Sequence, residues 1–323
     1  MSKKVSVAIV CGGKSAEHEV SLVSARLVAE ALNKDKYDVR LVMMDRDGRL
    51  DSPGALDDAE VVFPLVHGTH GEDGCLQGWL KIRGLPFVGA GVLGSAVGMD
   101  KDVTKRLLKG AGLPIVDFLC CHAHETIDCD HVATRLGLPV FVKPASLGSS
   151  IGVTRVDHLD QLSRAIQHAF VYDRKIIIEK GVLGREIECA VLGNEDPIAS
   201  LPGEVIVHSS FYSYEAKYLD PQGATVVIPA PLSEEMTVKI QDMAKSAYRT
   251  LCCSGMARVD FFLQSSGEIF INELNTLPGF TPTSMYPKMW EATGLPYTEL
   301  LDKLIVLAFD KFHKELELKT TYL

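Results

Sequence analysis

From Val5 to about Ala96 the chain alternates two hydrophobic periods. VSVAIV, YDVRLVMM, AEVVFPLV and LPFVGA read as strands, and VSLVSARLVAEAL, after the first of them, carries apolar residues at helical spacing. Apolar strands joined through a helix leave few architectures open. Parallel strands need a crossover, so this segment is expected to form an open, mostly parallel α/β sheet.

The rhythm then changes. Residues 97–182 open with a helix at Lys101–Gly110, stopped by Gly112 and Pro114, and continue with PVFVK, IGVTRV and KIIIEK, without a regular βαβ beat. Residues 183–323 supply EIECAVLG, a polar loop around HSSFYSYEAKYLD, a helix from about Glu234 to Leu251, the strand pair RVDFFL and EIFINELN, and a last helix from about Tyr297. The expected organisation is an α/β domain at 1–96 followed by two mixed α+β domains at 97–182 and 183–323, with Gly181 and Gly184 breaking the chain between them. No internal repeat or low-complexity tract interrupts this order.

Composition narrows the function. At 323 residues and 46% hydrophobic, the chain can build two or three domains with their own cores. A net charge of −9 with no block of like charges argues against a nucleic-acid or acidic-membrane surface, so an anionic ligand would need its own local lysines. No apolar run approaches the ~18 residues of a membrane span, and the first one leads into Gly-Gly and charged residues instead of a cleavage site. The expectation is a soluble cytoplasmic protein whose eight cysteines are reduced. CCHAHETIDCDH (Cys120–His131) holds three cysteines and three histidines. It has neither a CxxC pair nor a second ligand pair at finger spacing, so strand plus loop is the preferred reading over a metal site.

Residues 142–153, VKPASLGSSIGV, resemble a phosphate loop with the lysine in the wrong place. In a Walker loop the glycines precede Gly-Lys-Ser/Thr and a helix follows; here Lys143 comes first and a strand follows. A small-residue loop between two strands suits a flap, Ala145–Ser150, closing over a polyphosphate, with Lys143, Lys101 and Lys217 neutralising charge. Any one of these lysines alone is ordinarily solvated. The run KIIIEKGVLGREIECAVLG places backbone near Glu179, Lys180 and Val182 where an adenine could bond, and Glu186 where ribose hydroxyls could. Gly12–Glu17 lacks the dinucleotide spacing. Glu17 and Glu19 either favour a helix N-terminus or fix a substrate ammonium. HGTHGEDG falls at the carboxyl end of the strand VVFPLV, where open α/β sheets bind ligands.

RVDFFLQSSGEIFINELN admits two registers. A two-residue Ser266-Gly267 turn sets Asp260 opposite Glu273 and Arg258 opposite Asn275; a four-residue loop sets Arg258 opposite Glu273 in a salt bridge. Opposed carboxylates destabilise a sheet unless a cation lies between them, and hard oxygen donors suit Mg²⁺. The residues alone leave both registers open.

In order, GGKSAEHEVSLVSA, HGTHGEDGCLQG, VGMDK, VFVKPASLGSSIGV, REIECAVLGN, YSYEAKY and RVDFFL with INELNTLPGFTPTSMYP resemble the D-alanine–D-alanine ligases of the ATP-grasp superfamily over nearly the whole chain. The resemblance implies a homodimeric enzyme of peptidoglycan precursor synthesis with an ATP-grasp fold. It implies ATP gripped between the second and third domains, two Mg²⁺ ions for which Mn²⁺ substitutes, and two D-alanine sites. By position it implies Asp260, Glu273 and Asn275 as metal ligands, Lys101 and Lys143 as phosphate lysines, and Lys217 at the γ-phosphate. Glu179, Lys180, Val182 and Glu186 correspond to adenine and ribose contacts, with Phe211 and Phe262 against the base. Glu17 would hold the first ammonium and join Ser149 and Tyr218 in a tether; Arg258 and Gly279 would face the oxyanion; His67, Ser284 and Met285 would touch substrate. Met285 replaces the family's usual leucine, and Asp45–Asp58 is shorter than the family pattern. The resemblance also implies that the lactate-forming relatives differ at Tyr218, which argues for D-alanine over D-lactate as acceptor. A binding-only regulator of the same fold would be expected to lose Arg258 or the metal ligands, and this chain keeps them.

Overall fold

In the computed structural model, which describes residues 3–52, 54–208, 223–281, 284–319 and 321, β1 (Val5–Gly12) pairs in parallel with β2 (Tyr37–Met44) and β3 (Val61–Pro64). The crossover from β1 to β2 is α1 (His18–Ala31), which buries Ser21, Ala25 and Val28. LPFVGA adds only a single parallel bridge, Val62 to Phe87. Pro86 lacks an N–H to continue the ladder, and Gly89 at φ +95° turns the chain away.

Helices α2 (Cys75–Ile82), α3 (Val92–Met99) and α4 (Lys101–Gly110) lead to an antiparallel sheet of β4 (Phe118–His122), β5 (Val140–Pro144), β6 (Thr154–Val156) and β7 (Lys175–Lys180), in the order β4-β7-β5-β6. The amphipathic faces of α5 (Cys129–Leu136) and α6 (Leu159–Phe170) cover it through Val132, Leu162 and Ile166. Cys120 to His122 lie in β4 while Cys129 and His131 begin α5, whose N-cap Asp128 accepts from two backbone N–H groups. Among the described residues no group of three or more His, Cys, Asp or Glu side chains is arranged to hold a metal ion by itself, the cysteines and histidines of this segment included.

The third sheet comprises β8 (Arg185–Gly193), β9 (Ile198–Ala199), β10 (Gly203–Val207), β11 (Ala224–Val227), β12 (Gly255–Leu263) and β13 (Ile269–Asn275), ordered β11-β10-β8-β12-β13 with β9 on β8. One face packs Ile187, Val259, Phe261 and Ile271 against Ile240, Ala244 and Tyr248 of α7 (Glu234–Thr250). On the other face α8 (Met285–Ala292) and α9 (Tyr297–Leu316) bury Trp290, Tyr286 and Leu304 in a core that also takes Val7, Ile9 and Phe63 of the first sheet. Phe63 and Phe280 meet nearly edge to face at 5.8 Å. This shared core fixes the first sheet on the third and brings the loops after β1 and β3 over the end of β13. Among the described residues no helix is long and apolar enough to cross a membrane.

The β12–β13 hairpin has neither expected turn. Gln264 and Glu268 close a three-residue loop, with Gly267 at φ +87°, so Leu263 pairs with Ile269. A bulge between Asp260 and Phe261 on one strand and the residues facing them then shifts the register, and Asp260 lies opposite Glu273 and Arg258 opposite Asn275. The bulge inverts parity. Ile269 and Ile271 point into the α7 core, and the next core residue is Leu274, three positions on. Glu273 and Asn275 are thereby turned to the opposite face, beside Asp260.

Candidate active site where the three sheets meet

Three carboxylates form a row across three strands: Glu188 on β8, Asp260 on β12 and Glu273 on β13. Like charges so placed repel, and the local cations answer that. Arg258 forks onto both oxygens of Asp260 at 2.7 Å and lies 2.9 Å from Glu188, while Lys101 Nζ lies 3.6 Å from Glu273. Asn275 Nδ2 donates to Asp260 at 3.0 Å. Arg258 and Lys101 thus stand against the three carboxylates at hydrogen-bond or ion-pair range. The donors are hard oxygens of Asp, Glu and Asn, which fit a divalent cation whose remaining coordination comes from phosphate. Such an ion would be shared between protein and ligand.

Two cavities open from this row. One, of about 600 Å³, runs past Glu17, His67, Gly279, Ser284 and Met285; the other, of about 440 Å³, runs past Lys143, Glu179, Lys180, Val182, Glu186 and Phe262. Lys101, Gly148, Ser149, Glu188, Arg258 and Glu273 border both. Asp260 lines the second cavity and Asn275 the first. The roof at the junction is the loop Ala145–Ser150. Lys101 holds its base, donating from N to Ala145 O at 2.9 Å and from Nζ to Leu147 O at 2.7 Å. At its tip Ser149 and Ser150 have φ of +53° and +58°, and Ser149 Oγ donates to Glu17 Oε1 at 2.5 Å.

In the second cavity Glu179 is buried with its carboxylate between two lysines. Oε2 takes Lys143 Nζ at 2.5 Å, and Oε1 pairs with Lys105. Burial alone would raise this carboxyl; Lys105 and Lys143 overcome it and hold the pKa down to about 2. The Lys180 N–H is engaged with Asp117 O, so that donor is closed to a base.

In the first cavity Ser15 Oγ donates to His67 O at 2.7 Å, and Gly68 N–H donates to Glu72 Oε1 at 2.8 Å. Buried His67 lies 3.7 Å from Glu72. Burial works against its imidazolium, but Glu72 outweighs that and raises the pKa; burial likewise raises Glu72. A Cβ on Gly71 would come within 1.8 Å of Val66 O, so Gly71→Ala must push this loop away from the segment that follows β3. We expect it to cost about 2–3 kcal/mol in denaturant unfolding, whereas Gly110→Ala, with nothing within 4 Å of its Cβ, stays within about 1 kcal/mol of the parent.

A family model described as the D-ala D-ala ligase C-terminus matches residues 107–306, and the corresponding N-terminus model matches 6–53 and 49–90. The chain belongs to the D-alanine–D-alanine ligase family. A D-alanine–D-alanine ligase of Shouchella clausii is 48% identical over 364 aligned positions, covering 99% of each chain. D-alanine–D-alanine ligase A of Escherichia coli K12 is 47% identical, covering 99% of this chain and 100% of its own. Among solved structures, the Coxiella burnetii D-alanine-D-alanine ligase superposes with a TM-score of 0.88 at 40% identity, covering 98% of this chain and 97% of its own. The VanG D-Ala:D-Ser ligase of Enterococcus faecalis superposes at 0.86 and 34%, covering 95% and 100%. The protein is a ligase with the ATP-grasp fold of this family. The two N-terminal matches overlap at residues 49–53, within the β2–β3 connection.

Of the residues singled out from the ligase motifs, Phe211, Lys217 and Tyr218 lie outside the described residues; all the others border one or both cavities. Glu188, Glu72 and Lys105 escaped that reading. Glu188 had a usable signal: REIECAVLG alternates charge and apolar residue, with Glu186 and Glu188 on the face that Asp260 shares.

Proposed function

We propose that this ligase joins two D-alanine molecules to D-alanyl-D-alanine at the cost of one ATP, through a D-alanyl phosphate, as a step in peptidoglycan precursor synthesis. The observation that carries this reading is the junction: a cavity lined by Glu17, His67, Gly279 and Ser284 opens onto one lined by Lys143, Glu179 and Lys180 through a shared wall of Lys101, Arg258 and Glu273. ATP supplies the phosphoryl group that turns an unreactive carboxylate into an acyl phosphate, and Mg²⁺, or Mn²⁺ in its place, offsets charge on that group when bound. Asp260, Glu273 and Asn275 would hold the ion.

This chain's own residues do the rest. Lys143 and Lys101 meet the phosphates, while the backbone around Lys180 and Val182, with Glu186 and Phe262, receives base and ribose. Glu17 pairs with the first D-alanine's ammonium beside His67. Arg258 and the Gly279 N–H face the oxyanion that develops as the second amine attacks. Ser284 and Met285 border the acceptor, and the flap tip at Ser149 keeps water from the intermediate. Phosphate release from ATP is the test. It is expected with D-alanine present and absent without it, in step with dipeptide. Release independent of D-alanine refutes the reading. Because a D-Ala:D-Ser ligase is among the structural neighbours, D-serine and D-lactate belong in the same assay, and D-alanine is expected to be the preferred acceptor.

A further inference from the structure

Lys105 is the least exposed charged side chain among the described residues, at 1%, and has no part in the steps above. It sits one turn beyond Lys101 on α4, so both project from one face of that helix. Its ammonium pairs with Glu179 Oε1 and lies 5.9 Å from the Phe118 ring centroid; Lys143 and Glu273 are the other charges acting on it. A buried ion pair is a poor source of stability, since apolar residues of like volume often do as well.

Glu179 has two counter-ions of different freedom. Lys143, with its side chain 13% exposed, borders the nucleotide cavity, while Lys105 is sealed behind it. Phosphates arriving in the cavity compete for Lys143. A buried carboxyl stripped of its cations takes up a proton, and with it loses part of its acceptor capacity. Lys105 cannot be drawn away, so Glu179 remains ionised and accepts only. Adenine offers an amino donor at the position where guanine carries a carbonyl acceptor. We propose that Lys105 is a positioning residue that fixes Glu179 as a permanent hydrogen-bond acceptor facing the base, and so sets the preference of this cavity for adenine over guanine nucleotides. This rests on the reading that the nucleotide occupies that cavity.

The test compares kcat/KM for ATP and GTP at saturating D-alanine in the full-length enzyme and in Lys105→Met. The ATP value is expected to fall roughly tenfold or more, the loss of one charge-assisted hydrogen bond, with GTP less affected and the D-alanine KM unchanged. A ratio that narrows about tenfold supports the proposal, and Lys105→Arg, which keeps the charge, should retain the parent ratio. Equal losses for both nucleotides overturn it. Should Lys105→Met not fold, Glu179→Gln and the double variant Lys105→Met/Glu179→Gln are compared instead: identical ratios support the proposal, and a further change in the double variant overturns it. If the parent releases no phosphate with D-alanine, the ligase reading is what fails, and calorimetric ATP and GTP affinities of parent and Lys105→Met still decide the role of Lys105.

Discussion

Replacing Arg258 with alanine is expected to lower kcat by on the order of 10²–10³ while leaving the KM for ATP within a few-fold of the parent. The guanidinium has two duties in one place. At rest it forks onto Asp260 and touches Glu188, damping repulsion along the carboxylate row; during turnover the same donors would face the oxyanion. Without it the carboxylate row loses its guanidinium and leans on Lys101, which is 3.6 Å from Glu273 and already donates to Leu147 O. Removing one partner from a buried pair costs about 3–5 kcal/mol, so the variant must first be shown folded by its melting transition. The two duties then separate by titration with Mg²⁺. Added cation can answer the carboxylates but cannot replace an N–H aimed at a developing oxyanion. Activity regained at high Mg²⁺ would assign Arg258 to charge balance alone, and parent-like turnover at ordinary Mg²⁺ would remove it from the mechanism. Arg258→Lys keeps the charge and loses the fork, so it should fall between the two.

How much of this site the sequence disclosed depended on whether its signal was local. β1, α1 and α4 follow from apolar spacing and short-range breakers, and the Lys101–Gly110 helix has the expected ends. The hairpin shows the limit. Its register at Asp260 and Glu273 arises from two compensating deviations, a three-residue loop and a bulge, where turn chemistry left a two-residue turn and a four-residue loop open. The trace was present in IFINELN, where core positions step from Ile269 to Ile271 by two and then to Leu274 by three. The pairs Lys105–Glu179 and Arg258–Glu188 join residues 74 and 70 positions apart, a separation that no local period encodes. Glu179 illustrates the same limit. Its place in KIIIEK identified a strand end near a base, but only the fold shows its carboxylate committed to two lysines. Likewise, the core shared by Phe63, Phe280 and Trp290, which carries Glu17 and His67 to the junction, is a property of packing between segments over two hundred residues apart.

Ser149→Ala is expected to slow dipeptide formation roughly ten- to hundredfold and, more tellingly, to uncouple it. The flap tip holds Ser149 and Ser150 in the left-handed region, at φ of +53° and +58°, which costs about 1–2 kcal/mol per non-glycine residue. The hydrogen bond from Ser149 Oγ to the Glu17 carboxylate, at 2.5 Å, is of the charge-assisted kind worth about 1.5–3 kcal/mol. Those magnitudes are comparable, so the closed tip is poised and loss of the hydroxyl should shift it open by one to two orders of magnitude. An open roof admits water to an acyl phosphate, so phosphate released per dipeptide formed should rise above one. Ser149→Gly separates strain from tether. Glycine adopts a positive φ without that cost, so it should lose the hydroxyl's contribution yet close more readily than the alanine variant and leak less phosphate. Lys101, which holds the other end of the flap at Ala145 and Leu147, is unchanged in both variants, so the base of the loop stays anchored and the comparison isolates the tip. If Ser149→Ala makes dipeptide at the parent rate with one phosphate per bond, the contact with Glu17 is not what seals the intermediate, and closure must be sought elsewhere on the flap.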